Sequence, residues 1–357
     1  MQPVRLLILG LGGMAKTHAE GFSAIPGVSL VAGVDTRPAQ LAAFQTDHAI
    51  PHGFASLDAA LAWGEFDAVT NVTPDAAHYA TTMPVLAAGK HILCEKPLAT
   101  NATHASEMAA AAAQAGVVNM VNLTYRNVPA MQRGAEMVRD GVLGPIRHFE
   151  ASYLQSWLTQ PAWGHWDREP QWLWRLSTAH GSKGVLGDVG IHILDFATFV
   201  AGLAVVDVSC LLTTFDKAPG GQIGDYVLDA NDSATMQVRL ENGALGTIGA
   251  TRFATGHFND LRLRLFGVNG GLEVSFENDT SRLCACLGAD ILTATWREVD
   301  CPPVPTNYQR FIAAIRGEDA GKPNFARGAE LQQILDAAEA SASHGGATQA
   351  LPSVGRG

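Results

Sequence analysis

Three polar residues near the middle of the chain, Asp188, His192 and Asp195, lie four and then three positions apart. If residues 187–200 are helical, this spacing predicts one shared stripe. A carboxylate that holds one imidazole nitrogen fixes the tautomer and supports the imidazolium formed when the other nitrogen takes a proton from an alcohol. His192 is therefore a candidate base, with Asp188 behind it. The same residue types also suit a charged helix surface, or a metal ion held by Asp188, His192 and Asp195. Lys96, between Glu95 and Pro97 just after the apolar run His91–Cys94, is the second candidate, because an ammonium can polarise an oxygen and stabilise developing alkoxide charge.

Five of the seven tryptophans, Trp157, Trp163, Trp166, Trp172 and Trp174, fall in one stretch, interleaved with His165, Asp167, Arg168, Glu169 and Arg175. Ring faces beside charged hydrogen-bonding groups suit a sugar, whose C–H faces pack on rings while its hydroxyls need donors and acceptors. The other reading is a subunit-contact arm, since tryptophan is enriched at interfaces. Both hold if the arm of one subunit covers the site of another.

The elements that must position these groups begin at residue 4. A β-branched and leucine-rich run, Val4–Leu9, leads into Gly10-Leu11-Gly12-Gly13-Met14-Ala15 and then a helical pattern over 16–22. Strand, glycine turn and helix in that order make a dinucleotide-binding turn: Gly10 bends it, Gly12 lets the backbone approach a pyrophosphate, and the helix N-terminus faces the phosphates. A second strand over 29–34 ends in Asp35, where a carboxylate would bind the adenosine ribose hydroxyls. Asp35 also repels a 2′-phosphate, so NAD is expected over NADP, although Arg37 could supply a counter-charge. Strands at 66–72 and 91–94 alternate with helices at 38–46, 76–88 and 103–115, which predicts a parallel sheet covered on both faces.

The run Asn71-Val72-Thr73-Pro74-Asp75-Ala76-Ala77-His78, followed by Ala87-Ala88-Gly89-Lys90-His91-Ile92-Leu93-Cys94-Glu95-Lys96-Pro97-Leu98-Ala99, closely resembles the glucose–fructose oxidoreductase / inositol dehydrogenase / MocA family. Tyr125-Arg126-Asn127-Val128-Pro129, Gly141-Val142-Leu143-Gly144-Pro145-Ile146 and Gly187-Asp188-Val189-Gly190-Ile191-His192-Ile193-Leu194-Asp195 follow in the family's order. The resemblance implies an α/β fold, with an N-terminal Rossmann domain and a C-terminal α/β domain built on a large, mostly antiparallel open sheet. In relatives the exposed face of that sheet commonly mediates oligomerisation, so a homo-oligomer, dimer or tetramer, is expected. It further implies that Lys96 faces the substrate hydroxyl near the nicotinamide, and that Lys96, Asp188 and His192 are catalytic. The cofactor set is then Gly10, Gly12, Gly13, Met14, Asp35, Arg37, Thr73, Pro74, His78, Glu95 and Lys96. The substrate set is Lys96, Arg126, Trp157, Trp174, Arg175, Asp188 and His192. His78 reads as a helix residue near the cofactor and Cys94 as a small buried residue. No resident metal is expected, because the nicotinamide carries the redox step.

The 357 residues exceed what one hydrophobic core organises, so two domains are expected: 1–124 for the dinucleotide, 125–343 for substrate and oligomerisation, and a tail over 344–357 that is mobile or held by a partner. Later β runs at 146–155, 205–214, 232–241, 244–252, 262–267 and 271–277, with Glu241-Asn242-Gly243-Ala244 as a hairpin, and helices at 308–316 and 328–343 agree with that class. A net charge of −10 without a basic block argues against a nucleic-acid or anionic-membrane partner. The N-terminal apolar run is too short to span a bilayer, and the five scattered cysteines fit a reducing compartment, so a cytoplasmic protein is expected. The function these features favour is an NAD-dependent dehydrogenase acting on a hydroxyl of a sugar, anhydrosugar or cyclitol. The alternatives are a catalytically silent dinucleotide-binding sugar sensor and an enzyme of the same family with a non-sugar substrate.

Overall fold

Apolar runs too short for helices become buried parallel strands in the first part of the chain. In the computed structural model, which describes residues 3–352, these are β1 (Val4–Leu9), β2 (Val28–Val34), β3 (His52–Phe54), β4 (Ala68–Asn71), β5 (His91–Cys94) and β6 (Asn119–Val121). They form one wholly parallel sheet of order β3-β2-β1-β4-β5-β6. Strand order reverses between β1 and β4, the place where such sheets leave a crevice for a ligand at their carboxyl ends. The connecting helices are α1 (Gly13–Ser23), α2 (Pro38–His48), α3 (Leu57–Trp63), α4 (His78–Ala87) and α5 (Ala102–Ala115).

The second part holds α6 (Pro129–Arg139), β7 (Ile146–Gln155), α7 (Pro170–Leu173), α8 (Ile191–Ala201), β8 (Val205–Thr213), a small hairpin of β9 (Gln222–Ile223) and β10 (Tyr226–Val227), β11 (Ser233–Leu240), β12 (Leu245–Thr251), β13 (Asn259–Gly267), β14 (Gly270–Glu277), β15 (Thr280–Leu287) and β16 (Arg297–Glu298). The chain ends in α9 (Asn307–Ile315), α10 (Phe325–Ser343) and β17 (Gln349–Ala350). Nine strands join in the order β16-β15-β14-β13-β7-β12-β11-β8-β17, antiparallel throughout except for the β7–β12 pair. Alternation assigns the faces: Ala234, Met236, Val238 and Leu240 of β11 are buried, while Thr235, Gln237 and Arg239 between them are exposed. Helix α8 packs on β7, β12 and β13, and Ile191 to Thr198 are all buried.

Two expectations change. Residues 305–332, placed with the second domain by their order in the sequence, belong to the first compact unit, which comprises Met1–Thr124 and Pro305–Gln332. The physical reason is α9, whose Tyr308, Phe311 and Ile312 join Leu6, Phe22, Leu93 and Met120 in one core. The Tyr308 ring lies so close to Gly21 that a Cβ there would come within 2.5 Å of it. The second unit is Tyr125–Val304 with Gln333–Gly357. The tail is the other change: Gln349 and Ala350 pair with Val208 and Asp207 of β8, completing the sheet edge, while the expected tail's residues 353–357 lie outside the described ones. No helix among the described residues is long and apolar enough to cross a membrane.

Candidate active site

In the first unit the turn after β1 is built for close approach. Gly10 has φ +85°, and a Cβ on it would stand 2.8 Å from the Thr73 amide nitrogen, so only glycine fits. Gly12 and Gly13 are the reverse case: a Cβ on either would meet no atom within 4 Å, so there is room beside the backbone amides that open α1. Open amides at a helix N-terminus, beside a half-exposed Met14, fit a pyrophosphate. Asp35, at the end of β2, accepts from the Leu11 amide at 3.0 Å and from Arg37 at both oxygens, Nε to Oδ1 and Nη2 to Oδ2, each at 2.9 Å. The Arg37 fork holds the Asp35 carboxyl down to about 2. Arg37 itself is largely exposed, so it can leave the carboxylate to a ribose at little cost.

Behind β5 the buried Glu95 accepts from His18 Nε2 at 2.8 Å, from Asn122 Nδ2 at 2.6 Å and from the Lys96 amide at 3.1 Å. Burial alone would push its carboxyl up, but His18, Asn122 and the Lys96 charge outweigh it and hold the group at about 2. Asn307 of α9 donates to the Asn122 Oδ1 at 3.2 Å. Glu95, expected to touch cofactor, is thus a buried anchor for the Lys96 backbone, and the Lys96–Pro97 bond is cis.

His78, also expected at the cofactor, is completely buried and offers it no surface. Its Nδ1 lies 2.7 Å from the Pro97 carbonyl and its Nε2 2.9 Å from that of Thr73. Carbonyl oxygens only accept, so a hydrogen bond on each side calls for both ring nitrogens to donate, an arrangement that favours the imidazolium. Burial opposes the charge, but Cys94, Asp75 and the Pro97 carbonyl favour it, and the value rises to about 10. His78 therefore joins the loop carrying Lys96 to Thr73, the residue packed against Gly10.

In the second unit the expected continuous helix over 187–200 begins instead with a π turn, Leu186–Gly190, before α8. Such a widened turn re-aims a side chain and is frequent at functional sites. Asp188, on that turn, accepts from Arg175 Nη1 at 3.0 Å and from Arg252 Nη2 at 3.1 Å. His192 is largely buried, with the Tyr125 ring edge-on at 5.1 Å between centroids. Behind it, Tyr125, Tyr153 and Asn259 form a closed hydrogen-bonded set, with Gln155 donating to the Asn259 Oδ1 at 2.9 Å. Burial pushes Tyr125 up to about 12 and Tyr153 well above its ordinary value, so both phenols stay protonated and act as packing and hydrogen-bonding groups.

Two further expectations are corrected. Asp195, expected to share a stripe with Asp188 and His192, is taken up by Arg126 through two hydrogen bonds of 2.6 and 2.8 Å. Arg126, expected on substrate, is buried in that pair with its guanidinium 3.5 Å above the Phe199 ring. The aromatic stretch also divides. Trp157, expected on substrate, is buried in a small core with Leu158, Leu173, Leu176 and Leu228, against which Trp166 and Trp172 pack, whereas Trp163 and Trp174 expose 41% and 37% of their surface. Arg175 stacks over Trp174 at 4.7 Å. At this end of the stretch the part-exposed Trp174 ring carries Arg175, whose guanidinium reaches the Asp188 carboxylate.

Comparison with known proteins shows the family. Residues 4–123 match the model of an oxidoreductase family with an NAD-binding Rossmann fold, and residues 131–273 match the GFO/IDH/MocA C-terminal domain. D-glucoside 3-dehydrogenase of Escherichia coli (strain K12) is 32% identical over 360 residues, covering 96% of each chain. Levoglucosan dehydrogenase of Pseudarthrobacter phenanthrenivorans is 26% identical over 298 residues, 78% of this chain and 75% of its own. Among solved structures, an oxidoreductase domain protein from Kribbella flavida superposes with a TM-score of 0.88 at 30% identity, over 99% of this chain and all of its own. A levoglucosan dehydrogenase complex with NADH and L-sorbose gives 0.87 at 25% identity and the same coverage. With both domain models matched and a relative aligned almost end to end, the chain belongs to the GFO/IDH/MocA family of NAD-binding oxidoreductases.

Proposed function

We propose that this oxidoreductase oxidises a secondary or anomeric hydroxyl of a sugar, anhydrosugar or cyclitol. The observation that carries the reading is the Asp188 site: a carboxylate four residues before His192, held by two guanidiniums, one of which, that of Arg175, lies over the part-exposed ring of Trp174. Trp174 offers a ring to the C–H face of a pyranose, and Asp188 and Arg175 offer an acceptor and a donor to its hydroxyls. When bound, NAD accepts the hydride. The protein handles the proton: the Lys96 ammonium polarises the hydroxyl oxygen and stabilises alkoxide charge, while His192 takes the proton. With Asp188 neutralised by two arginines, the carboxylate orients substrate and leaves proton transfer to the imidazole. The names of D-glucoside 3-dehydrogenase and levoglucosan dehydrogenase among the relatives support a glucose-configured substrate. The open sheet face of the second unit supports self-association into a homo-oligomer.

The test is NADH formation from NAD across glucosides, levoglucosan, aldoses and inositols. Turnover of at least one is expected, and His192→Ala and Lys96→Ala should each lower kcat by roughly 10²–10⁴-fold while NADH affinity holds. Tight NADH binding without turnover on any member would support a silent sensor in place of an enzyme, and near-normal kcat in both variants would remove the assigned roles.

A further inference from the structure

Arg252 follows β12 directly and carries a fully buried guanidinium, a group that is costly to remove from water unless every face of it is compensated. Its Nη2 donates to Asp188 at 3.1 Å and its Nη1 to the Arg175 carbonyl at 3.1 Å. The Nε has no hydrogen-bond partner among the described residues, and the guanidinium carbon lies 5.0 Å from the centre of the Trp157 ring. A ring face attracts a cation without accepting a conventional hydrogen bond, so Trp157 covers what the carboxylate and the carbonyl leave over. The backbone of the same residue is tied as well: its amide donates to the Asp232 carbonyl at 3.0 Å and its carbonyl accepts from the Leu158 amide at 3.3 Å. One residue thus joins both ends of the aromatic stretch, Trp157–Leu158 and Arg175, to the turn that carries Asp188.

The charges around it make the arrangement directional. Asp188 faces two guanidiniums, those of Arg175 and Arg252, but the two differ: Arg252 is wholly buried, whereas the Arg175 side chain is one-third exposed and rides on the aromatic stretch. The other acidic group near Arg252, the buried Asp232, is already paired with Lys217 at 2.5 Å. Asp188 is therefore the one carboxylate on which the Arg252 charge closes directly. The fixed arginine holds the carboxylate in place, and the exposed one is free to exchange its hydrogen bond for a hydroxyl.

We propose that Arg252 is a positioning residue for sugar binding: it fixes Asp188 and seats the Trp174–Arg175 end of the aromatic stretch against it. This rests on the reading that Asp188 and His192 act on the sugar. A displacement of about 1 Å in such a constellation costs about a hundredfold in rate, which sets the scale of the effect.

The experiment compares Arg252→Met, which keeps length and loses charge, with Arg252→Lys, which keeps the charge but not the fork. With the sugar turned over best in the panel above, Arg252→Met should lower kcat/KM by about a hundredfold, mostly through KM, with NADH affinity within about twofold of the parent. Arg252→Lys should recover about tenfold of that loss. In an Asp188→Asn background Arg252→Met should cost less than about threefold more, because the charge that Arg252 holds is gone. Hydrogen exchange supplies an arm that needs no substrate. Residues 157–176 and 186–190 should exchange faster together in Arg252→Met and partly recover in Arg252→Lys, while residues 4–123 stay unchanged. Full additivity with Asp188→Asn, or unaltered exchange in both segments, would overturn the role of Arg252. If Arg252→Met does not fold, Arg252→Lys carries the same cycle with Asp188→Asn. Retained turnover in His192→Ala would instead sink the underlying site reading, and the exchange arm would still decide whether Arg252 joins the two segments.

Discussion

At Asp35 a single carboxylate meets the Leu11 amide and the full fork of Arg37, and its type and spacing after β2 were readable from the sequence, whereas the fork was not. Arg37 was legible only as a charge two residues away. The geometry decides its part: a guanidinium bound to Asp35 and largely exposed is a reserve counter-charge, available to a phosphate only once the carboxylate is gone. Asp35→Ser should therefore narrow the preference for NAD over NADP by about tenfold, read as the ratio of the two kcat/KM values. A parent enzyme that already favoured NADP would sink the assignment. Lys96, Asp188 and His192, the residues proposed to act on substrate, stand out in the sequence because they sit in short motifs. Arg252, Tyr153 and Asn259 do not: Arg252 reaches Asp188 from 64 residues away and Asn259 reaches Tyr125 from 134, through strands whose pairing no local pattern encodes. Arg126 reads in its motif as a binding group, and its pairing with Asp195, 69 residues on, could not be read from that motif.

At the scale of elements, alternation and glycine punctuation place the strands and helices that bracket the site, and the strand Ile146–Gln155 was readable to the residue. The π turn at Leu186–Gly190 was invisible because the same apolar spacing suits an α-helix. Helix α4 illustrates what a contact adds to a pattern. Its first residue, His78, reads as an ordinary helix histidine, yet two carbonyl acceptors at hydrogen-bond distance favour a ring with both nitrogens protonated. The sign of its pH effect follows. The value rises from 6.5 to about 10 on folding, so the stability that the ring contributes is complete below about pH 6.5 and is lost as pH climbs through about 10. Glu95, held at about 2 against an ordinary 4.5, acts at the other end: its contribution is present above about 4.5 and is lost as pH falls through about 2. Nitrogen NMR of the His78 ring at about pH 8 should show two N–H groups. His78→Asn, which sets a carbonyl against one of the two acceptors, should destabilise the first unit by about 1–3 kcal/mol. A neutral ring at that pH would refute the imidazolium.

At the scale of the whole chain, sequence order and compact unit part company after residue 304. The family motifs fall within residues 4–195, so a reader of the sequence naturally gives everything beyond 124 to the second domain. What binds residues 305–332 to the first unit is carried by side chains without a motif: the Thr306–Gln309 capping box that starts α9, and the apolar stripe Tyr308, Phe311 and Ile312 that it presents to Phe22 and Met120. Asn307, from the same turn, completes the hydrogen bonds of Asn122, which in turn holds Glu95. Residues 1–124 alone would leave Phe22 and Met120 uncovered and Asn122 without that neighbour, so the dinucleotide-binding unit depends on a segment almost two hundred residues downstream. Phe311→Ala should cost about 3–5 kcal/mol, seen in chemical denaturation as an early loss of NADH binding. A fragment of residues 1–124 should unfold without cooperativity, and joining residues 305–332 to it through a flexible linker should restore both a cooperative transition and NADH binding. A fully cooperative, NADH-binding fragment lacking 305–332 would show instead that α9 is a passenger on a domain already complete.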